Sequence, residues 1–212
     1  MLAFDENELQ WAEDIFRKID AKMEKTLPRT KCVIPYRVEN GRFENMAEKN
    51  ICWWTNGFWE GLLWLLYSRT GKQAYREAAQ QGEALLDGAF RNYPRLHHDV
   101  GFLWQLSAGL DYKLTGNNES RLRALFAASI LMSRFNLGGG YIRAWNDYPN
   151  DDTSGWSIID TMMNLSILYW ASKELGDARL PRPMRISRCA IICGRTEAPN
   201  ILLCTILRQG KN

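Results

Sequence analysis

Apolar residues recur along this chain in two alternating styles, and the alternation predicts its elements. From Asn7 to Lys25, Trp11, Ile15, Ile19 and Met23 stand at four-residue intervals among charges, the stripe of an amphipathic helix, and Pro28 closes it. Residues 30–50, with Pro35, Asn40-Gly41 and mixed polar positions, read as a loop with a turn. The run from Gly57 to Tyr67 is so apolar that a helix there is expected to be buried nearly all round, and Thr70-Gly71 ends it. Residues 72–89 follow as a one-sided helix carrying Ala74, Ala78, Ala79, Leu85 and Leu86. The couplet returns as an apolar Gly101 to Leu114, a stop at Thr115-Gly116 and an amphipathic Glu119 to Phe135. A third starts over Ser157 to Glu174 and stops at Leu175-Gly176-Asp177.

This repeat predicts an all-α fold, a double-layered ring of helical hairpins whose stops at Gly71, Gly116 and Gly176 suit left-handed C-caps. Only an inner helix is covered on every flank, so the all-apolar helices form the inner layer and the one-sided helices the outer. Loops entering the inner helices then line one mouth. They are Trp53-Trp54-Thr55-Asn56, Leu96-His97-His98-Asp99, and the long stretch from Gly138 to Asp147 that runs on to Trp156-Ser157.

Composition changes the picture in three places. At 212 residues and 46% hydrophobic content the chain can bury one substantial core or form part of a larger fold, so disorder is excluded. The net charge of +3 is unevenly placed: residues 180–212 carry +5 and residues 1–179 carry −2, which is no footprint of a nucleic-acid binder. No apolar run is long enough for a membrane span and the first residues are acidic, so neither a span nor a secretory leader is expected, and the expected location is cytoplasmic. Cys32, Cys52, Cys189, Cys193 and Cys204 form no C-x-x-C pair and only His97 and His98 could assist them, so no metal centre or disulfide framework is expected. From Leu180 the pattern fails: Pro181 and Pro183 break the expected outer helix and no aromatic residue follows. Permissible codons read two bases on restore a helix and a turn there, so residues 180–212 are expected to be the product of a frameshift, with residues 1–179 as the N-terminal half of a ring.

Two carboxylates stand where chemistry is possible. Asp99 and Asp160 each lie at or within the first turns of an apolar helix facing the aromatic mouth, and paired carboxylates perform acid–base work on sugars. On spacing alone Asp99 reads first as a helix N-cap, whose oxygen accepts from the free N–H groups of the first turn. Asp160, inside Ile158-Ile159-Asp160-Thr161-Met162-Met163-Asn164-Leu165, is expected to be buried, which raises a carboxyl pKa and makes a general acid available; a satisfied structural carboxylate is the other reading. Trp54, Phe58, Trp145 and Trp156 could stack on sugar rings or simply fill core, and His98 could bind substrate or satisfy loop backbone. The triple glycine at residues 138–140 has neither a strand before it nor Lys-Ser/Thr after it and is no phosphate loop.

Several segments in register resemble the unsaturated glucuronyl hydrolases of glycoside hydrolase family 88: Ile34-Pro35-Tyr36 with Asn40-Gly41, Trp53-Trp54-Thr55-Asn56-Gly57-Phe58-Trp59, His98-Asp99-Val100-Gly101-Phe102, Arg143-Ala144-Trp145-Asn146, and Ile158 to Leu165 through Tyr169-Trp170-Ala171-Ser172. The resemblance covers roughly residues 7–179. It implies an (α/α)6 toroid of six helical hairpins, a catalytic pair at Asp99 and Asp160, and substrate contacts from Trp54, Phe58, His98 and Trp145. It also implies removal of a 4,5-unsaturated glucuronic acid from the non-reducing end of glycosaminoglycan oligosaccharides by hydration of a vinyl ether, with neither metal nor organic cofactor. Half a ring leaves two apolar flanks open, so impaired turnover is expected. An unsaturated rhamnogalacturonyl hydrolase, against which the Trp53 to Trp59 segment argues, and a catalytically dead carbohydrate-binding remnant are the alternatives.

Overall fold

The computed structural model describes residues 5–138, 140–147, 149, 153 and 155–177. The expected frameshifted tail lies outside them. Helix α1 (Glu6–Thr26) opens with a reciprocal capping box: Glu8 N–H donates to Asp5, and the Glu8 carboxylate accepts from Asp5 N–H. Its stripe is only partly used. Met23 is buried and Phe16 packs on α3, whereas Trp11 and Ile19 stay exposed.

The expected loop over residues 30–50 is instead a hairpin, β1 (Pro35–Glu39) with β2 (Arg42–Asn45), and the one-turn helix α2 (Met46–Lys49). Glu39 pairs with Arg42, so Asn40-Gly41 is a two-residue connection, and their φ angles of 50° and 73° are the two left-handed residues of a type I′ turn. The Asn-Gly signal was present. Strands this short and mostly exposed write no alternating pattern beside it.

Helices α3 (Phe58–Thr70) and α4 (Gln73–Arg91) follow as expected. The single helix expected over Gly101 to Leu114 is broken into α5 (Val100–Leu106) and α6 (Ala108–Thr115). At the break Ser107 adopts φ −96° and ψ −90°, and its Oγ donates to Leu103 O at 2.6 Å, competing for the acceptor that an unbroken helical ladder would use. Helix α7 (Asn118–Ser133) comes next. The short pair β3 (Phe135–Asn136) and β4 (Tyr141–Ile142) pins the long loop, and α8 (Thr161–Leu175) begins four residues after the expected Ser157. Gly71, Gly116 and Gly176 cap α3, α6 and α8 at φ 69°, 74° and 63°, the left-handed stops that the repeat predicts.

The layers are those of an α/α toroid in part. Helix α4 packs outside α3, and α7 packs outside α5 and α6. The inner helices touch in sequence, α3 on α5 and α5 on α8. One core joins α4, α5, α7 and α8 around Leu86, Trp104, Leu131 and Leu168, with Phe90 stacked on Trp104 at 4.1 Å; a second joins α1, α3 and α4 around Leu63, Trp64 and Tyr75. The inner helices are not buried all round as expected. Leu65 of α3 is 61% exposed and Met163 of α8 66%, with Leu62 and Tyr169 beside them, because among the described residues nothing lies beyond either flank. No helix among the described residues is long and apolar enough to cross a membrane.

Candidate active site

Two glycines permit close approach at α5, Gly101 where α5 meets α8 and Gly57 where the start of α3 meets the backbone of α5. A Cβ on Gly101 would lie 2.6 Å from Asn164 Oδ1 and 2.7 Å from its Cα, and one on Gly57 would lie 2.2 Å from Leu103 O. Asn164 uses this closeness fully. Its Oδ1 accepts from Phe102 N–H at 2.8 Å, and its Nδ2 donates to Asp99 Oδ1 at 3.0 Å and to Asp160 O at 3.2 Å.

Asp99 occupies the N-cap position of α5, yet its side chain caps nothing. It is buried, with Oδ1 3.2 Å from His98 Nε2, so the functional alternative gains over the capping one. Burial pushes its carboxyl above the ordinary value, against the pull of His98; the charge of Asp160 also raises it and Asn164 lowers it.

Asp160 departs from its expected burial. It stands just before α8 rather than inside it, and its side chain is 35% exposed. The buried carboxyl with the raised pKa is therefore Asp99, and Asp160 is the one that meets solvent. Both oxygens of Asp160 lie 3.1 and 3.2 Å from His98 Nε2.

His98 is the hub. Its Nδ1 is 2.7 Å from Ala144 O, an atom that only accepts, so Nδ1 carries a proton, and Nε2 faces both carboxylates. Burial alone would lower its pKa, but the hydrogen bond to Asp160 and the charges of Asp99 and Asp160 outweigh this and raise it. His97 is the opposite case: burial, then the neighbouring His98 charge and Arg134, hold it down to about 4, so it is neutral at pH 7. Ligand atoms of His97, His98 and Asp99 lie within 4.8 Å of one another, the one grouping among the described residues that could take a metal ion. Both His98 nitrogens, however, are already engaged by Ala144 and the carboxylates.

Trp145 closes the cluster edge-on to His98, with centroids 5.3 Å apart and planes at 83°. The expected contacts Trp54 and Phe58 form a neighbouring wall rather than part of the cluster. Each is 5.7–5.8 Å from Phe102, whose N–H is held by Asn164. Trp156 is half-exposed; its backbone carbonyl accepts from Ala144 N–H.

Sequence reasoning missed two positioning residues. Asn164 sits four residues after Asp160, one helical turn on, a spacing that could have marked it. Arg134 was invisible: its guanidinium donates to Arg143 O, Ala144 O, Trp145 O and Asn146 Oδ1, holding the Trp145 loop from a helix end nine to twelve residues away.

Paired carboxylates beside aromatic walls, at the mouth of part of an α/α toroid, are an arrangement suited to acid–base chemistry on sugars. No family model matches the chain. Over 130 residues it is 39% identical to the unsaturated glucuronyl hydrolase of Bacillus sp. (strain GL1), a match to 61% of this chain and 34% of that protein. It is 40% identical over 127 residues to the unsaturated chondroitin disaccharide hydrolase of Streptococcus pyogenes serotype M1, covering 59% of this chain and 32% of the relative. The crystal structure of the Bacillus enzyme superposes with a TM-score of 0.69 at 30% identity, covering 82% of this chain and 46% of that one. An unsaturated glucuronyl hydrolase specific for heparin gives 0.70 at 25% identity over 85% and 47%. The chain is thus a homologue of the unsaturated glucuronyl hydrolases, and it spans about a third of the length of the curated relatives it matches.

Proposed function

We propose that this chain carries the catalytic pair of a family 88 unsaturated glucuronyl hydrolase, acting on unsaturated glycosaminoglycan oligosaccharides in the cytoplasm, with neither nucleic acid nor membrane as partner. The observation that carries the reading is the sharing of one His98 nitrogen by a buried Asp99 and a solvent-facing Asp160. Asp160 delivers its proton to C4 of the unsaturated ring and becomes a carboxylate, while His98 Nε2–H stays between the two aspartates. The cation left at C5 takes a water whose proton returns to Asp160, and the resulting hemiketal opens and expels the adjoining sugar. Asp99 keeps His98 charged and oriented. Trp145 and His98 flank the ring, and Trp54 and Phe58 receive the sugar beyond it. Every step is proton transfer, addition of water or opening of the hemiketal with loss of the adjoining sugar, so the chemistry as written calls for no metal or organic cofactor.

Residues 1–179 are read as the N-terminal half of the toroid. The open flanks at Leu62, Leu65, Met163 and Tyr169 favour a second reading for the chain alone, a carbohydrate-binding unit with impaired turnover. One experiment separates the two. The ultraviolet absorbance of an unsaturated chondroitin disaccharide is followed with the chain and with Asp160→Asn, since hydration removes the conjugated double bond. Bleaching by the unsubstituted chain alone supports the hydrolase. Saturable binding without bleaching, weakened by Trp145→Ala, supports the binding unit, and neither bleaching nor binding refutes both.

A further inference from the structure

Beside the aromatic wall lies a second recess of about 370 Å³ that the proposed reaction leaves unused. Its volume is within the range of small-ligand sites. The β1–β2 hairpin and α2 form one side, and the loop before α3 and the turn preceding His97 form the other. Tyr36 and Trp53 supply an aromatic surface, edge to face at 6.0 Å, and Trp53 is 6.5 Å from Trp54 of the neighbouring wall. Arg37, Lys49 and Arg95 bring three cations against the single carboxylate of Glu44.

Two of these cations already have carboxylate partners: Glu44 is paired with both Lys49 and Arg37, the latter at 3.1 Å, and Arg37 also meets Glu39 at 3.0 Å, which leaves Arg95 as the cation of the recess with no carboxylate beside it among the described residues. Arg95 instead has a neutral partner, its Nη2 donating to Asn50 Oδ1 at 3.2 Å. Arg95 also stands two residues before His97, and Asn146 Nδ2 holds the carbonyls on either side of it, Pro94 O at 3.2 Å and Leu96 O at 3.1 Å. The recess is therefore fastened to the loops that carry the candidate catalytic cluster.

We infer that this recess is a binding subsite for an acidic sugar, a pyranose bearing a sulfate ester or a carboxylate. The ring packs against Tyr36 and Trp53, and the oxyanion is received by Arg95 with Arg37 and Lys49. Guanidinium groups suit this task because their planar donors match a planar or tetrahedral oxyanion with two hydrogen bonds. The inference rests on the proposed function only for what it makes of the ligand: a second sugar of the same oligosaccharide, held beyond the aromatic wall while the unsaturated ring sits at Asp160.

The test needs no turnover. Binding of N-acetylglucosamine 6-sulfate, glucuronic acid and neutral N-acetylglucosamine to the full chain is measured calorimetrically. At least one acidic sugar binds more tightly than the neutral one, and whichever is tighter assigns the oxyanion. Arg95→Gln, which can still donate to Asn50, weakens the acidic sugar about tenfold. Glu44→Gln, which removes the competing anion, strengthens it. Asp160→Asn leaves it unchanged. Equal binding of acidic and neutral sugars, or indifference to both Arg95→Gln and Glu44→Gln, overturns the subsite. Loss of binding in Asp160→Asn overturns it too, by placing the ligand at the catalytic cluster. Selective binding with no bleaching of an unsaturated disaccharide would instead sink the reaction and leave the subsite standing.

Discussion

Replacing Gly101 by alanine tests whether the close meeting of α5 and α8 holds the cluster together. The added methyl would lie 2.6 Å from Asn164 Oδ1, 2.7 Å from its Cα and 2.8 Å from its carbonyl oxygen. Two of those three atoms are backbone of a packed helix, so no side-chain rotation relieves the clash and the helices must part. Overpacking of this kind costs about 1–3 kcal/mol. For a chain of this size that corresponds to a melting temperature lower by about 2–12 °C. Because Asn164 Oδ1 is also the acceptor for Phe102 N–H, the separation lengthens that bond, and the Phe102 amide exchanges with solvent faster. Gly88→Ala is the control. It also lies inside a helix, but the nearest atom to its methyl is Ile51 Cγ1 at 3.6 Å, so the loss of glycine's chain entropy makes it neutral or stabilising by roughly 0.5–1 kcal/mol. Thermal melts of the two variants, with amide exchange at Phe102, give opposite signs if the packing argument holds. Melting of Gly101→Ala at or above the parent temperature would refute it.

The two histidines of the chain should titrate far apart by proton NMR, His98 above the ordinary histidine value because two carboxylates hold its proton, and His97 near 4; two midpoints together near 6.5 would contradict the cluster. Glu60 is fully buried with neither carboxyl oxygen hydrogen-bonded, and burial raises its pKa to about 8, with the backbone opposing and Glu83 adding. The folded state thus holds a proton that the unfolded chain releases near its ordinary value, so the contribution of this group to stability is fullest below about pH 4.5 and is lost as pH rises toward 8. Glu60→Gln should remove that decline, a gain on the order of a few kcal/mol at pH 8, and parallel pH–stability curves for parent and variant would speak against it. Arg134→Ala withdraws donors from three loop carbonyls, so it should lower stability by about 2–4 kcal/mol and weaken disaccharide binding more than a substitution at exposed Arg17; an unchanged dissociation constant would show that Trp145 is placed without it.

The sequence by itself determined the helices, their stops and their layering. A left-handed glycine cap and an apolar or one-sided face are local properties, legible wherever the chain spells them, and so Gly71, Gly116 and Gly176 fell where expected. Position in the chain brought Asp99, His98, Asp160 and Trp145 forward with other readings open, the resemblance joined them in one site, and the structure gathers all four. Only the tertiary structure decided how they divide the work. Burial depends on what packs against a residue from elsewhere in the chain, and that is why Asp160 emerges at the mouth while Asp99 is enclosed by His98 and Asn164. The same non-local cause hid Arg134, whose partners lie in a loop no helical period connects to it. It also hid the recess at Arg95, assembled from segments that sequence alone gives no reason to join, whereas the break at Ser107 is local, one hydroxyl bond to Leu103 O set against an apolar run.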